Sequence, residues 1–431
     1  MIKSHTVTEA LCEDVGKRVT LHGWISWKSA LGGVIFVRIR DGSGYIQVAG
    51  KKDLTDEATL TTFKECPLES AVIVGGVIQL DQRAPGGKEI SLREFETVAS
   101  SETWPITKSA IQSSSSFLYD KRHLSLRGRK TRALMRIRGE VCSATFEFFT
   151  SKGFTPISSP TLVQAAVEGG STLFKMDYFG QPAYLSQSAQ FYEEAAICSL
   201  EKVFIFQPAF RAEKSRTLKH LTEFWMIEAE QAFTTQEDNM KLQEELVTYI
   251  TSKVSEKRDA ELKDVGRKFT PLESPFHRIT YDEARDMAGQ KNVHFEWGED
   301  IPTEAERLIS NSFEKPVFVT NYPLSARSFY HMAHPDNDKI TFSADLFAPE
   351  GYGEIATGGQ RIHDYETLLD RIKVHELPIE AFRWYLDLRK YGLPPHTGFG
   401  LGVERITRWI SGARHIRETS LFPRTTTRLS P

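Results

Sequence analysis

The sequence predicts an α+β protein in two parts: a five-stranded β-barrel at the N-terminal end, then a larger domain built on an antiparallel sheet flanked by helices. Three observations predict it. Five short strand-like runs separated by turn signals fill about the first 100 positions. A polar, serine-rich stretch, SSETWPITKSAIQSSSS (100–116), follows as a linker. Beyond it, strand runs cluster between helical ones without regular βαβ alternation, which argues against a parallel sheet.

The first strand is Arg18 to Lys28 (RVTLHGWISWK), where Val19, Leu21, Ile25 and Trp27 alternate with largely polar neighbours. VIFVRIR (34–40), YIQVAG (45–50), AVIVGGVIQL (71–80) and EISLREFETVA (89–99) follow, punctuated by Asp41-Gly42 and Pro85-Gly86-Gly87. From Thr131 to Lys152 the period changes to helical, with Leu134, Ile137, Val141, Ala144 and Phe148 on one stripe until Gly153 supplies a stop. A short helix near Gln190 to Leu200, a pair of strands flanking a charged loop (VFIFQPAFRAE and TEFWMIEAEQAF), and a charged helix over 235–264 come next. The expected organisation is a barrel domain over 1–103, a hinge over 104–120 and the larger domain over 121–431.

Composition excludes several classes. A chain of 431 residues with 40% hydrophobic and 26% charged residues has an ordinary globular balance, with no apolar run near the ~20 residues of a membrane span. MIKSHTVTEALCEDVGKR lacks the apolar core of a signal peptide, so a cytoplasmic protein is expected. Cys12, Cys66, Cys142 and Cys198 form no CxxC pair for zinc or redox work and are expected to be buried thiols. A net charge of −3 requires any nucleic acid to be held by local patches.

The chemistry concentrates in two places. Phe-Arg-Ala-Glu (210–213), with Lys214, Arg216, Lys219 and His220 in the loop that follows, gathers cationic and imidazole groups where a polyphosphate could lie. Gly398, Gly400 and Gly402, followed by Glu404 and Arg405, would let a strand pass closely over a ligand and set one arginine beside it. Each alone is weak: an FRAE string is an exposed strand end in most proteins, and glycines at this spacing more often serve packing. No GxxxxGK[ST] phosphate loop is present.

Taken together, GFTPISSP (153–160), FRAEKSRTLKHLTEFWMIEAE (210–230) and GFGLGVER (398–405) resemble the three motifs of class II aminoacyl-tRNA synthetases. Residues 15–100 look like the OB-fold anticodon-binding domain of the aspartyl, asparaginyl and lysyl subgroup. RAEKSRT, HLTEFWMIE, PEGYGEI (349–355) and LFPRT (421–425) are most similar to archaeal-type asparaginyl enzymes, whereas ATGGQRIHDYE (356–366) and YGLPPH (391–396) pull toward aspartyl ones.

The resemblance implies ATP and Mg²⁺ as cofactors, asparagine and tRNA(Asn) as substrates, and a homodimer formed through the first motif. It implies Arg211 on the α-phosphate, Arg405 on the γ-phosphate, Phe224 stacked on adenine, His220 near the γ-phosphate and Glu213 near the adenine amino group. Asp345 and Glu354 would hold magnesium. Glu168, Ser188 and Gln190 would surround the α-amino group, with Arg361 and Glu228 at the side chain, where a donor and an acceptor suit an amide. Aspartyl enzymes carry a lysine where QSAQFYEE (187–194) has Glu193, so a positive charge useful to aspartate is missing. In the barrel, Phe36 and Gln47 match the anticodon readers, with Lys28 beside them. Eight Lys or Arg between Lys121 and Arg138 form a candidate tRNA-backbone stripe. The alternatives are an aspartyl enzyme, including one that also charges the asparagine tRNA, a tRNA-independent asparagine synthetase on the same fold, and a noncatalytic RNA-binding descendant. Intact Arg211, Glu354 and Arg405 speak against the last.

Overall fold

The computed structural model describes residues 1–114, 116–164, 173–214 and 217–431. Its internal contacts divide into two units, Met1–Leu118 and Tyr119–Pro431.

In the first unit, strands β1 (Arg18–Leu31), β2 (Val34–Arg40), β3 (Tyr45–Gly50), β4 (Ala71–Leu80) and β5 (Lys88–Ala99) close into a barrel in the order β1-β2-β3-β5-β4. Alternation does the work that the sequence suggests: Val19, Leu21, Ile25, Val37, Ile39, Ile46, Val48, Val74 and Ile90 fill the interior. Trp27, assigned above to the same face, is instead exposed, because a bulge between Ile25 and Trp27 turns it outward. Two helices not anticipated above pack on the barrel. Val7–Cys12 is started by a Thr6/Glu9 capping box whose T-x-x-E signal stands in the sequence, and Glu57–Glu65 is capped by Asp56. The serine-rich stretch, expected as a plain linker, holds the helix Lys108–Ser113 capped by Thr107.

The second unit is an eight-stranded sheet with helices. Its strands are β6 (Thr155–Pro156), β10 (Lys202–Phe210), β11 (Glu223–Ala232), β12 (His277–Thr280), β13 (Val317–Thr320), β16 (Ser343–Ala348), β17 (Gly353–Gln360) and β18 (His396–Gly402). Between these in sequence, β7 (Leu162–Val163), β8 (Lys175–Tyr178) and β9 (Gln181–Leu185) form a small sheet, and β14 (Ala333–His334) pairs with β15 (Asn337–Thr341). The large sheet runs β12-β13-β16-β17-β18-β11-β10-β6, antiparallel except for the β12/β13 and β6/β10 pairs at its two edges.

One face of this sheet is apolar. Phe204, Ile227, Ala229, Phe399 and Leu401 pack against Ile137, Val141 and Phe148 of the helix Arg129–Ser151, against Leu246 and Ile250 of the helix Gln236–Lys257, and against Ile406 and Trp409 of the helix Val403–Ser411. The charged helix expected over 235–264 is two helices, Gln236–Lys257 and Asp259–Asp264, meeting at Arg258. The four cysteines are all free thiols, but Cys12 and Cys198 are exposed, contrary to the expectation of burial; only Cys66 is fully buried.

Candidate active site

With the odd positions of β11 committed to the core, the even positions must face the other way, and these are Phe224, Met226, Glu228 and Glu230. The neighbouring strand answers them with glycine: Met226 lies opposite Gly402, Glu228 opposite Gly400 and Glu230 opposite Gly398. A Cβ on Gly398 would fall 2.0 Å from the Glu230 carboxylate, and one on Gly400 would fall 2.8 Å from the Met226 methyl. The glycines clear a floor for two carboxylates before any ligand is considered, which refines their expected role as a close approach to a ligand.

Two cavities stand on this floor. The larger is lined by Arg211, Glu213, Lys219, His220, Phe224, Glu354, Arg405 and Arg417. The smaller is lined by Ser188, Gln190, Glu193, Glu228, Glu230, His331 and Arg361. Arg211, Met226, Thr357 and Gly400 border both. Residues expected at a nucleotide therefore gather in one cavity and those expected at an amino acid in the other. Glu168 lies outside the described residues, as does Arg216.

In the larger cavity the Arg211 guanidinium lies 5.7 Å from the centre of the Phe224 ring. Arg405 forms an ion pair with Glu354, Nη1 to Oε1 at 2.7 Å. Burial alone would raise the Glu354 carboxyl, but Arg405, Lys219 and Arg211 outweigh it and hold the group below its usual range. Lys219, which was expected among the phosphate-facing cations, is paired with Glu306, and Glu306 also accepts from the Glu354 backbone N–H. His220 is pushed down to about 4, first by burial and then by Arg405, so its ring is neutral at pH 7 and shares a hydrogen bond with Thr217.

Asp345 sits on β16 opposite Thr357, with Oδ2 accepting from Arg327 at 2.6 Å. Its Oδ1 is buried and has no partner among the described residues. That orphaned oxygen and the ionised Glu354 are hard donors of the kind Mg²⁺ takes. No group of three or more His, Cys, Asp or Glu is arranged to hold a metal by itself among the described residues, so any such ion would depend on ligand oxygens as well.

In the smaller cavity Arg361 and Glu228, both expected at the ligand's side chain, have different partners within the chain. Arg361 Nε and Nη2 both donate to Glu230 Oε1, at 2.9 and 2.6 Å, while Glu228 Oε2 accepts from the Ala189 backbone N–H at 2.6 Å. Sequence reasoning missed Glu230, although the same alternation that turns Glu228 toward the cavity turns it there too. Glu193 is buried, and burial together with Glu228 and Glu230 raises its carboxyl well above the usual range. Its negative charge is therefore disfavoured here relative to a solvent-exposed glutamate. His331, also unanticipated, is buried here; burial and Arg361 keep its ring neutral.

One carboxylate ties the long helix to the second and third motif segments. Glu404 accepts from Arg138 of the long helix (Nη2 to Oε1, 2.9 Å) and, on Oε2, from the Trp225 N–H of β11 at 2.9 Å. Several cations of the stripe over 121–138 make the same kind of contact within the chain. Arg122 is buried and donates to the Ser420 and Leu421 carbonyls, while Arg129, Lys130, Arg136 and Arg138 pair with Asp264, Glu418, Glu261 and Glu404.

On the barrel, Phe36 is half-buried on the outer surface and not in the core; it lies opposite Ala49, next to the Arg38–Gln47 pair. Gln47 Nε2 donates to Glu89 at 2.9 Å, and the Arg38 guanidinium lies 5.3 Å from the centre of the Trp27 ring. Lys28, expected beside them, has partners within the barrel unit. Its ammonium donates to the carbonyls of Lys64 and Cys66, capping the 57–65 helix.

No helix among the described residues is long and apolar enough to cross a membrane. Residues 114–426 match the family described as tRNA synthetases class II (D, K and N), and residues 19–98 match the OB-fold nucleic acid binding domain. An asparagine–tRNA ligase of Thermococcus gammatolerans is 44% identical over 99% of this chain and 100% of its own. The crystal structure of asparaginyl-tRNA synthetase from Pyrococcus horikoshii complexed with asparaginyl-adenylate superposes with a TM-score of 0.96 at 44% identity, covering 100% of both chains. A putative aspartyl-tRNA synthetase from Leishmania major reaches 0.87 at 26% identity, over 100% of this chain and 95% of that one. A glycine-cleared sheet floor carrying two adjoining cavities, the order of the three motif segments and similarity along nearly the whole length agree, and the chain belongs to the class II tRNA synthetases of the D, K and N group.

Proposed function

We propose that this protein attaches asparagine to tRNA(Asn) in two steps, with ATP consumed in the first. The observation that carries the reading is Arg211, which borders both cavities and so stands where a nucleotide's α-phosphate would meet an amino acid's carboxylate. A carboxylate oxygen of asparagine attacks the α-phosphorus, the bond to the bridging oxygen breaks and pyrophosphate leaves. A 3′-terminal tRNA hydroxyl then attacks the acyl carbon and AMP departs. Such an in-line displacement needs positioning and charge stabilisation more than a protein nucleophile. Arg211 would hold the α-phosphate, Arg405 and neutral His220 the γ-phosphate end, Phe224 the adenine face and Glu213 its amino group. Mg²⁺ held between Asp345 and Glu354 would supply charge neutralisation on the phosphates.

For the amino acid, Ser188 and Gln190 would face the α-amino group, and Arg361, Glu228 and Glu193 the side-chain amide. Two carboxylates on the floor, Glu228 and Glu230, set against one guanidinium favour a neutral side chain over an anionic one. The higher identity to the asparaginyl than to the aspartyl structure supports the same choice. Phe36 and Gln47 would read the anticodon from the barrel, and the helix Arg129–Ser151, where Phe146 is exposed, would meet a second copy in a homodimer. ATP–pyrophosphate exchange with asparagine and aspartate side by side, without tRNA, tests the reading. Exchange driven equally by aspartate would overturn it in favour of the aspartyl enzyme.

A further inference from the structure

Behind the smaller cavity lies a charged cluster that none of the steps above uses. Glu194 is fully removed from solvent, one residue beyond Glu193 on the helix Gln190–Leu200. Its Oε2 accepts from Arg389 at 2.6 Å and from the Tyr385 hydroxyl at 2.7 Å, and lies 3.1 Å from His396 Nε2. Its Oε1 lies 2.8 Å from the same hydroxyl and accepts from the Gln190 side-chain Nε2, one helical turn away, at 2.9 Å. Arg389 is anchored in turn on the Ile362 carbonyl, and Ile362 follows Arg361 in the chain.

We infer that Glu194 is a positioning residue that fixes which end of the Gln190 amide faces the amino-acid cavity, and so makes that cavity select for the ammonium of the incoming amino acid. The inference rests on the reading that the α-amino group lies at Gln190. A carboxamide is nearly symmetric in shape but not in chemistry, with a donor at one end and an acceptor at the other. An ionised carboxylate only accepts, so the amide's NH₂ must turn toward Glu194 and its carbonyl oxygen is left for the cavity. Burial would by itself raise the Glu194 carboxyl, but Arg389 and His396 outweigh it and hold the group well below the usual range, so its acceptor-only character persists at any working pH. A buried ion pair is costly to build and gives uncertain net stability, whereas a fixed orientation is something an apolar replacement could not supply.

Glu194→Gln tests this, because glutamine fills the same space yet can satisfy the Gln190 amide in either orientation. Two ligands separate orientation from general damage: asparagine, and succinamate, which is asparagine without its α-amino group, used as an inhibitor of pyrophosphate exchange. Folding is checked by thermal unfolding. The expected result is a KM for asparagine raised about tenfold or more, a kcat within about threefold, an unchanged KM for ATP, and a succinamate Ki within about twofold of wild type. Should the glutamine variant not fold, Glu194→Asp keeps the charge but withdraws it from Gln190, and the same asymmetry is expected. Equal weakening of asparagine and succinamate, or no change in either, overturns the inference. Wild-type exchange with asparagine, measured first, separates failure of this inference from failure of the substrate reading.

Discussion

Arg361 and Glu230 meet on a single oxygen, with Nε and Nη2 of the guanidinium 2.9 and 2.6 Å from Oε1, both side chains nearly sealed from solvent. An arginine in this position is a structural counter-ion before it meets any ligand. Truncating it leaves Glu230 buried without its cation, a situation that costs about 3–5 kcal/mol. Arg361→Ala is therefore expected to lower stability by that order in urea unfolding, in addition to weakening asparagine activation. A loss below about 1 kcal/mol would mean that the pair contributes nothing to folding.

Arg211 is half-buried, stands between the two cavities and packs on Phe224, so its removal should spare the fold. Arg211→Ala is expected to reduce ATP–pyrophosphate exchange at least about a hundredfold, some 3 kcal/mol of transition-state stabilisation, at unchanged unfolding midpoint. Exchange within about tenfold of wild type would remove this residue from the chemistry.

Glu228 has a carboxylate on the cavity floor with one oxygen committed to the Ala189 N–H. Like charges ~4 Å apart at an effective dielectric of ~20 repel by about 4 kcal/mol, and Arg361 returns part of this to aspartate. Discrimination for asparagine of about a hundredfold is expected in the wild type. Glu228→Gln should narrow it; an unchanged ratio of kcat/KM for the two substrates would place the selectivity elsewhere.

Asp300 is raised to about 6, first by burial and then by Asp345 and Glu354, with Arg327 opposing. Its unfolded value lies near 3.8, so above pH 6 the folded chain carries a charge that the unfolded chain holds more comfortably. Asp300 is nevertheless exposed at the surface, so solvent screens most of that cost and leaves about 1 kcal/mol or less, and it disappears as pH falls from 6 toward 4, where the native state binds the extra proton. Asp300→Asn should therefore stabilise the metal-free protein by up to about 1 kcal/mol at pH 8 and by little at pH 4. Chemical denaturation at the two pH values checks the sign.

Phe36 stands half-exposed on the barrel, in a unit separate from both cavities. Stacking on an unpaired base is worth ~1–3 kcal/mol, so Phe36→Ala should raise the KM for tRNA about tenfold while leaving tRNA-free exchange unchanged. Loss of both activities together would mark the ring as a folding residue.

The barrel was legible because a period of two, broken by Gly, Asp and Pro, is a local signal: all five strands lie within a few residues of their expected places. The motif segments were legible for their composition, and the cavities gather the residues those segments contain. What the sequence could not reveal is pairing. Glu228 and Glu230 are equivalent in a one-dimensional pattern, and only the register of β11 against β18 and the approach of Arg361 give them different partners. Glu193 reads as a negative charge until its burial and its two acidic neighbours are known. The bulge that turns Trp27 outward inserts one residue, which a strict alternation cannot represent.

The cations between residues 121 and 138 look like a landing strip in sequence, yet the fold has already engaged most of them with carboxylates and carbonyls of its own. A polyanion approaching this helix meets a surface close to electrical balance. A phosphate that binds at one of these paired cations sheds its sodium or potassium but frees an acid that takes a cation up again, so the net release of ions, which drives much nucleic-acid binding, is small at those positions. Whatever grip the helix offers comes from exchanging one hydrogen-bond partner for another, and such an exchange is far less sensitive to salt than the count of positive residues suggests.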